Sequence, residues 1–337
     1  MYLKARNIIV VVGAILLYNA TLSAQNNNKE EFTPSGSIYG KIFSNFNSSL
    51  QGADRQTAFE VRRAYLGYEY LISPEFSAEV KIDIGSPNDA SQYSLLRRFG
   101  YFKTAAVSYT PFKNFEFTYG LQDATQFKIQ EKFWKRRYIK KSFMDEYKYG
   151  SSADIGAKAV WKSNLFDVDL AVFNGEGYSS LQNDNTFKGA LGITIRPLKN
   201  LTTRLYGDLS TKSVNQGTTV LFAGYSYGWF SIGGEYAWHF NRSFEEDHNL
   251  EGFSVMGEIL AFPKIWLFGR FDKIDSNILD EESVPWNLAN DETAITTGIE
   301  YVPIEAIKIS ANYQDHYPAA KNVEKISAFY LNIEASF

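Results

Sequence analysis

FSAEVKIDI, residues 76–84, sorts its side chains by parity. Ala78, Val80, Ile82 and Ile84 fall on one face, and Ser77, Glu79, Lys81 and Asp83 on the other. A period of two is the signature of a strand, because successive Cβ atoms of an extended chain point to opposite sides; a helix would mix these residues. The pattern recurs at 115–122, where Phe115, Phe117, Tyr119 and Leu121 oppose Glu116, Thr118 and Gln122. It recurs again at 230–239, where Ile232, Tyr236 and Trp238 oppose Ser231, Glu235 and His239.

Outward from these strands the punctuation alternates in kind. Short breaks fall at 73–75, 110–114, 162–164, 197–200, 228–229, 262–264 and 302–306, several of them carrying Pro. Proline cannot donate to a sheet ladder and belongs at strand ends. Between them lie longer polar stretches at 48–57, 85–98, 123–152, 174–186, 210–218, 241–250, 272–292 and 315–324. Alternating tight turns and long loops is the plan of a transmembrane antiparallel β-barrel. Seven turns and eight loops join about sixteen strands, and the even count leaves both ends of the barrel on the tight-turn side.

Composition agrees. Aromatic residues make up 16% of the chain, with 22 Tyr and 26 Phe, yet mean hydropathy is negative. A barrel reconciles the two, since only alternate residues meet lipid. Tyr70, Phe76, Tyr109, Phe112, Trp161, Phe166, Tyr227, Trp229, Phe262, Trp266 and Tyr301 flank the short turns and read as an interfacial girdle. An aromatic core inside a soluble β-protein is the competing explanation; such a protein would carry polar residues on its outer face.

The two ends carry their own signals. Lys4 and Arg6 precede an apolar run at 8–18, with Ala24 as the residue before cleavage. That run is about half the ~20 residues of a spanning helix, so 1–24 reads as an export signal. Residues 25–36 follow as an N-terminal periplasmic segment and 37–337 as the barrel. At the other end Phe329, Leu331, Ile333, Ala335 and the terminal Phe337 share one face. Such a strand resembles the C-terminal signal read by the barrel assembly machinery.

Several classes of function recede. There are no cysteines, which excludes a small disulfide scaffold. The formal net charge of −4 becomes about −6 once Lys4 and Arg6 leave with the signal, which argues against nucleic-acid binding. The three histidines, His239, His248 and His316, show neither a Ser–His pairing nor a metal-ligand spacing such as HxxxH, so neither catalysis nor a metal or other cofactor is expected.

FEVRRAYL at 59–66, GLQDATQFKIQEKFWKRRYIKKSFMDEYKYGSSAD at 120–154 and FNGEGY at 173–178 resemble the phosphate-selective porins, the porin O and P family. The resemblance runs from about residue 37 to 337 and is most specific in the first half. It implies a sixteen-stranded porin in the outer membrane of a Gram-negative-type bacterium, usually a homotrimer in contact with lipid and lipopolysaccharide. It also implies a third long loop folded into the lumen and small anionic solutes such as phosphate.

The charge of that loop points the same way. Lys128, Lys132, Lys135, Arg136, Arg137, Lys140, Lys141 and Lys148 face three acids, Glu131, Asp145 and Glu146. On one helix Lys128, Lys132, Arg136 and Lys140 would form a basic stripe, with Phe127, Trp134 and Tyr138 on another face against the wall. Basic rings at a constriction attract anions. Arg62, Arg63, Arg97, Arg98, Arg204 and Arg270 are further candidates for the lumen, though only one of the neighbours Arg62 and Arg63 can point inward in a regular strand. Three alternatives stay open: the charge run as a solvated face binding lipopolysaccharide phosphates, a nonselective or cation-preferring pore of the same fold, and an adhesive or structural barrel.

Overall fold

The computed structural model describes residues 32–85 and 100–337. Gly36–Phe337 forms one compact unit, the barrel. The expected export signal at 1–24 lies outside the described residues, as do Arg97 and Arg98.

Among the described residues sixteen strands form one closed sheet in which each pairs with its neighbours in sequence. They are β1 (Ser35–Gln51), β2 (Asp54–Leu71), β3 (Phe76–Ile84), β4 (Gly100–Phe112), β5 (Phe115–Asp123) and β6 (Ala153–Lys162). Then come β7 (Phe166–Phe173), β8 (Lys188–Leu198), β9 (Leu201–Thr211), β10 (Asn215–Tyr227) and β11 (Phe230–Phe240). The ring is completed by β12 (Leu250–Phe262), β13 (Ile265–Ser276), β14 (Glu292–Ile304), β15 (Ile307–Pro318) and β16 (Ile326–Ser336).

Closure is made by β16 against β1, antiparallel from Lys41↔Ser336 to Gln51↔Ile326. The terminal residue extends the seam further: Phe337 N–H donates to the Gly40 carbonyl at 3.1 Å, and the Phe337 backbone oxygen accepts from Gly40 N–H at 2.9 Å. The Phe337 ring lies where a Cβ on Gly40 would stand. Absence of a side chain at 40 is what lets the last ring cover the seam.

The wall is greasy outside and polar within. On β11, Ile232, Tyr236 and Trp238 are 56, 44 and 41% exposed, whereas Ser231, Glu235 and His239 are buried. Phe329, Leu331, Ile333 and Phe337 all face outward. Such a surface is stable only in contact with hydrocarbon.

All seven expected tight turns are present, and proline sits where the ladder slips. Register shifts bracket Pro111 between Tyr109 and Phe112, Pro197 between Ile195 and Leu198, and Pro303 between Tyr301 and Ile304. A residue without an N–H is tolerated there because no ladder bond is asked of it. Aromatic rings cluster at this end, with Phe76 stacked on Tyr109 at 4.6 Å and Phe112 near Phe115 at 5.7 Å.

Four sequence expectations need correction. The loop expected at 48–57 is a hairpin: β1 and β2 run 17 and 18 residues and only residues 52–53 separate them. The loop expected at 210–218 shrinks to 212–214. Polarity suggests loop in both stretches, but polar residues in a barrel strand mark a wet face. Trp266 is the third: it has the inward parity of Phe268 and Arg270, and Lys135 Nζ lies 5.8 Å from its ring centroid. Finally, Arg62 and Arg63 both reach the interior. Exposed apolar residues fall on odd positions before the pair (Phe59, Val61) and on even positions after it (Leu66, Tyr68). The alternation therefore slips by one residue between them.

Gly40→Val should dislodge the Phe337 ring and cost about 1–3 kcal/mol by overpacking. Guanidinium unfolding in detergent micelles measures it; an unchanged midpoint would show that the ring does not need the bare backbone.

Candidate functional site

Residues 124–152, between β5 and β6, fold into the barrel. The segment opens with α1 (Lys128–Trp134), which stops because Lys135 turns left-handed at φ 61° while its N–H still bonds the Glu131 carbonyl at 3.1 Å. A tight turn follows, closed by Ile139 and Lys140 N–H groups on the Arg136 carbonyl and by Trp134 Nε1 donating to the Lys140 carbonyl at 2.9 Å. A second short helix, α2 (Phe143–Glu146), returns the chain toward β6.

Apolar contacts seat the back of this loop on β7 to β13. Phe133 drops its ring into a notch made by Gly224 and Gly233, which face each other across β10 and β11; a Cβ on either would come within 2.5 and 2.6 Å of the ring. Trp134 meets Phe268 edge-on at 6.0 Å. Phe127, Tyr138 and Phe143 are fully buried, so the aromatics expected on the wall are there.

Wall cations hold the loop by its backbone. Arg62 donates to the Ile139 carbonyl at 3.0 Å, Arg204 to Thr125 at 2.9 Å, Arg270 to Lys141 at 2.5 Å and Lys308 to Lys135 at 3.2 Å. Carboxylates orient Arg204, Arg270 and the neighbouring Arg63. Asp169 bonds Arg204 twice, at 2.8 and 3.1 Å; Asp272 holds Arg270 at 2.7 Å and Asp83 holds Arg63 at 3.2 Å.

The single basic stripe expected from four-residue spacing is absent, because α1 ends at Trp134. Arg136 and Lys140 instead turn into the wall. Arg136 bonds Glu258 at 2.5 Å and Glu300 at 2.8 Å, and Lys140 approaches Asp272 at 3.4 Å. Tyr138 donates to Glu300 at 2.8 Å. Lys141 is half-buried near Asp145.

Lys128, Lys132 and Arg137 face the other way, and Lys135 reaches the same side while its ammonium pairs with Glu258 of the wall. They line a cavity of about 590 Å³ between the front of the loop and the wall. Lys41 of β1, Lys81 of β3, Lys103 of β4 and Lys308 of β15 line it from the wall side. Among the described residues its lining holds eight basic groups against three carboxylates, Asp123, Glu131 and Glu334. Burial works against the charged form of Lys128, but Asp123 at 2.7 Å and Glu131 outweigh it and hold its pKa above the usual lysine value. Burial would raise Asp145; Arg137 at 2.5 Å outweighs that and keeps its pKa low. Both groups therefore stay charged at neutral pH.

Sequence reasoning missed Lys41, Lys103 and Lys308, and noted Lys81 only as part of a polar face. For Lys41, Lys81 and Lys308 the signal was parity, each sitting in the inward phase of its strand; Lys103 turns inward at a register shift of β4, which parity does not reveal. The histidines are engaged elsewhere, His239 with Thr218 at 2.8 Å, His248 with Glu245 at 3.1 Å and His316 with Glu292 at 3.0 Å. No group of metal-ligating side chains converges among the described residues.

Glu300→Ala strips Arg136 and Tyr138 of a shared partner and should cost about 3–5 kcal/mol, as loss of one member of a buried pair does. Trypsin should then cut at 135–137 in a barrel that still migrates as folded, where the parent resists. Equal resistance would show that the apolar seat alone holds the loop.

No protein-family model matches the chain and no curated protein matches its sequence. Solved structures do. The anion-selective porin from Comamonas acidovorans superposes with a TM-score of 0.68 at 12% identity, covering 90% of this chain and 100% of that one. The outer membrane channel DcaP of Acinetobacter baumannii gives 0.66 at 11% identity over 92% and 99% of the two chains. Outer-membrane expressed OmpT of Vibrio cholerae gives 0.62 at 14%, over 92% and 99%. At such identities the likeness is one of architecture: this chain has the closed, sixteen-stranded barrel fold that it shares with these outer-membrane proteins.

Proposed function

We propose that the chain is an outer-membrane porin, a water-filled channel for passive diffusion of small hydrophilic solutes, with a preference for anions such as phosphate. The observation that carries this reading is the excess of eight basic groups over three carboxylates lining the passage beside the inserted loop. At contact distance a charge pair in bulk water is worth about 1 kcal/mol, and several times that in a lower-dielectric constriction. The same excess repels cations.

The rest of the reading rests on the sequence signals and the family resemblance. Export through 1–24 delivers the chain, and Phe329, Leu331, Ile333 and Phe337 present the final strand to the assembly machinery. Lipid and lipopolysaccharide cover the outward face of a homotrimer. The barrel carries no catalytic role in this reading and binds no cofactor.

A salt gradient across a planar bilayer holding the purified protein should give an anion-selective reversal potential. Lys132→Glu should lower the anion-to-cation permeability ratio several-fold, because its side chain is exposed at the cavity. A cation-selective potential in the parent protein would sink the anion preference.

A further inference from the structure

We propose that the cavity beside the loop is a binding site for small organic dianions, molecules that carry two carboxylates on a flat apolar body. This rests on the reading of the chain as an anion-preferring channel and narrows its solute.

The charge argument concerns three ammonium groups from three elements. Lys41 on β1, Lys103 on β4 and Lys132 on α1 all line the cavity, and among the described residues none makes an ion pair with a carboxylate. Lys103 is the telling one. Its side chain is buried, and its direct contacts are neutral, the Ser152 hydroxyl and the Tyr178 ring 4.1 Å from Nζ, with Asp123 and Asp145 nearby but beyond ion-pair distance. A buried charge without a counter-charge is costly to keep, and a ligand carboxylate would offset that cost.

The site already shows how it takes a carboxylate. One oxygen of Asp123 lies 2.7 Å from Lys128 Nζ of the loop and 3.8 Å from Lys81 Nζ of the wall. Loop and wall thus grip a single carboxylate between them. The unpaired lysines repeat the same pairing of loop with wall, with room for more than one negative group.

Shape and apolar surface select an organic body. The volume of about 590 Å³ falls within the ~300–1,000 Å³ of sites that hold small organic ligands. Phe43 and Tyr65 pack edge to face at 5.8 Å and line the cavity with Ile129. A bare inorganic anion makes no use of such a surface; an aromatic ring does.

The test is block of chloride current through single channels by terephthalate, with benzoate, succinate and inorganic phosphate as comparisons. Terephthalate should half-block at a concentration at least about tenfold below each of the others, since it alone uses both charge banks and the rings. Lys41→Gln and Lys132→Gln, made singly and checked for folded migration, should each raise that concentration several-fold. Equal block by terephthalate and phosphate would overturn the proposal, as would its absence in a channel whose reversal potential stays anion-selective; that second outcome leaves the porin reading intact. A cation-selective parent would overturn both.

Discussion

A peptide group in hydrocarbon has no water to turn to, so every backbone donor and acceptor of a membrane-spanning sheet must be answered by another strand. The seam between β1 and β16 satisfies this requirement here, down to the pair of bonds between Gly40 and the last residue. Once the ring is closed, parity along each strand assigns every side chain to lipid or lumen. The aromatic surplus outside and the charged interior are two results of the same constraint.

Inside, the same low dielectric sets the terms for charge. The loop carries its cations in two populations. Those on its back, Arg136 and Lys140, meet Glu258, Glu300 and Asp272 and serve as anchors. On its front Lys128, Lys135 and Arg137 are ion-paired as well, and among the described residues Lys132 alone of the four meets no carboxylate. Arg62, Arg204 and Arg270, which the sequence offered as lumen cations, turn out to grip loop carbonyls. A basic residue in a lumen is therefore either structural or functional according to what stands within hydrogen-bond reach, and composition cannot separate the two.

The barrel was legible because period two and alternating turn lengths survive in any single strand or break. Boundaries blur at 48–57 and 210–218, where polar strand residues look like loop. The inward turn of Trp266 and the doubled inward step at Arg62 and Arg63 depended on phase, which one misplaced residue inverts. The helix stripe failed at Lys135, whose left-handed backbone leaves no trace in residue type. The seat of Phe133 was invisible as well: Gly224 and Gly233 matter only because β10 and β11 bring them face to face.

That seat also dictates an order of construction. Arg136 finds its carboxylates 122 and 164 residues further along the chain, at Glu258 and Glu300. The loop thus leaves the ribosome long before the strands that receive it, and it cannot settle until β10 to β14 stand in place. The narrowing of the conduit is consequently a late event in the life of the molecule, set only after the circumference is nearly complete.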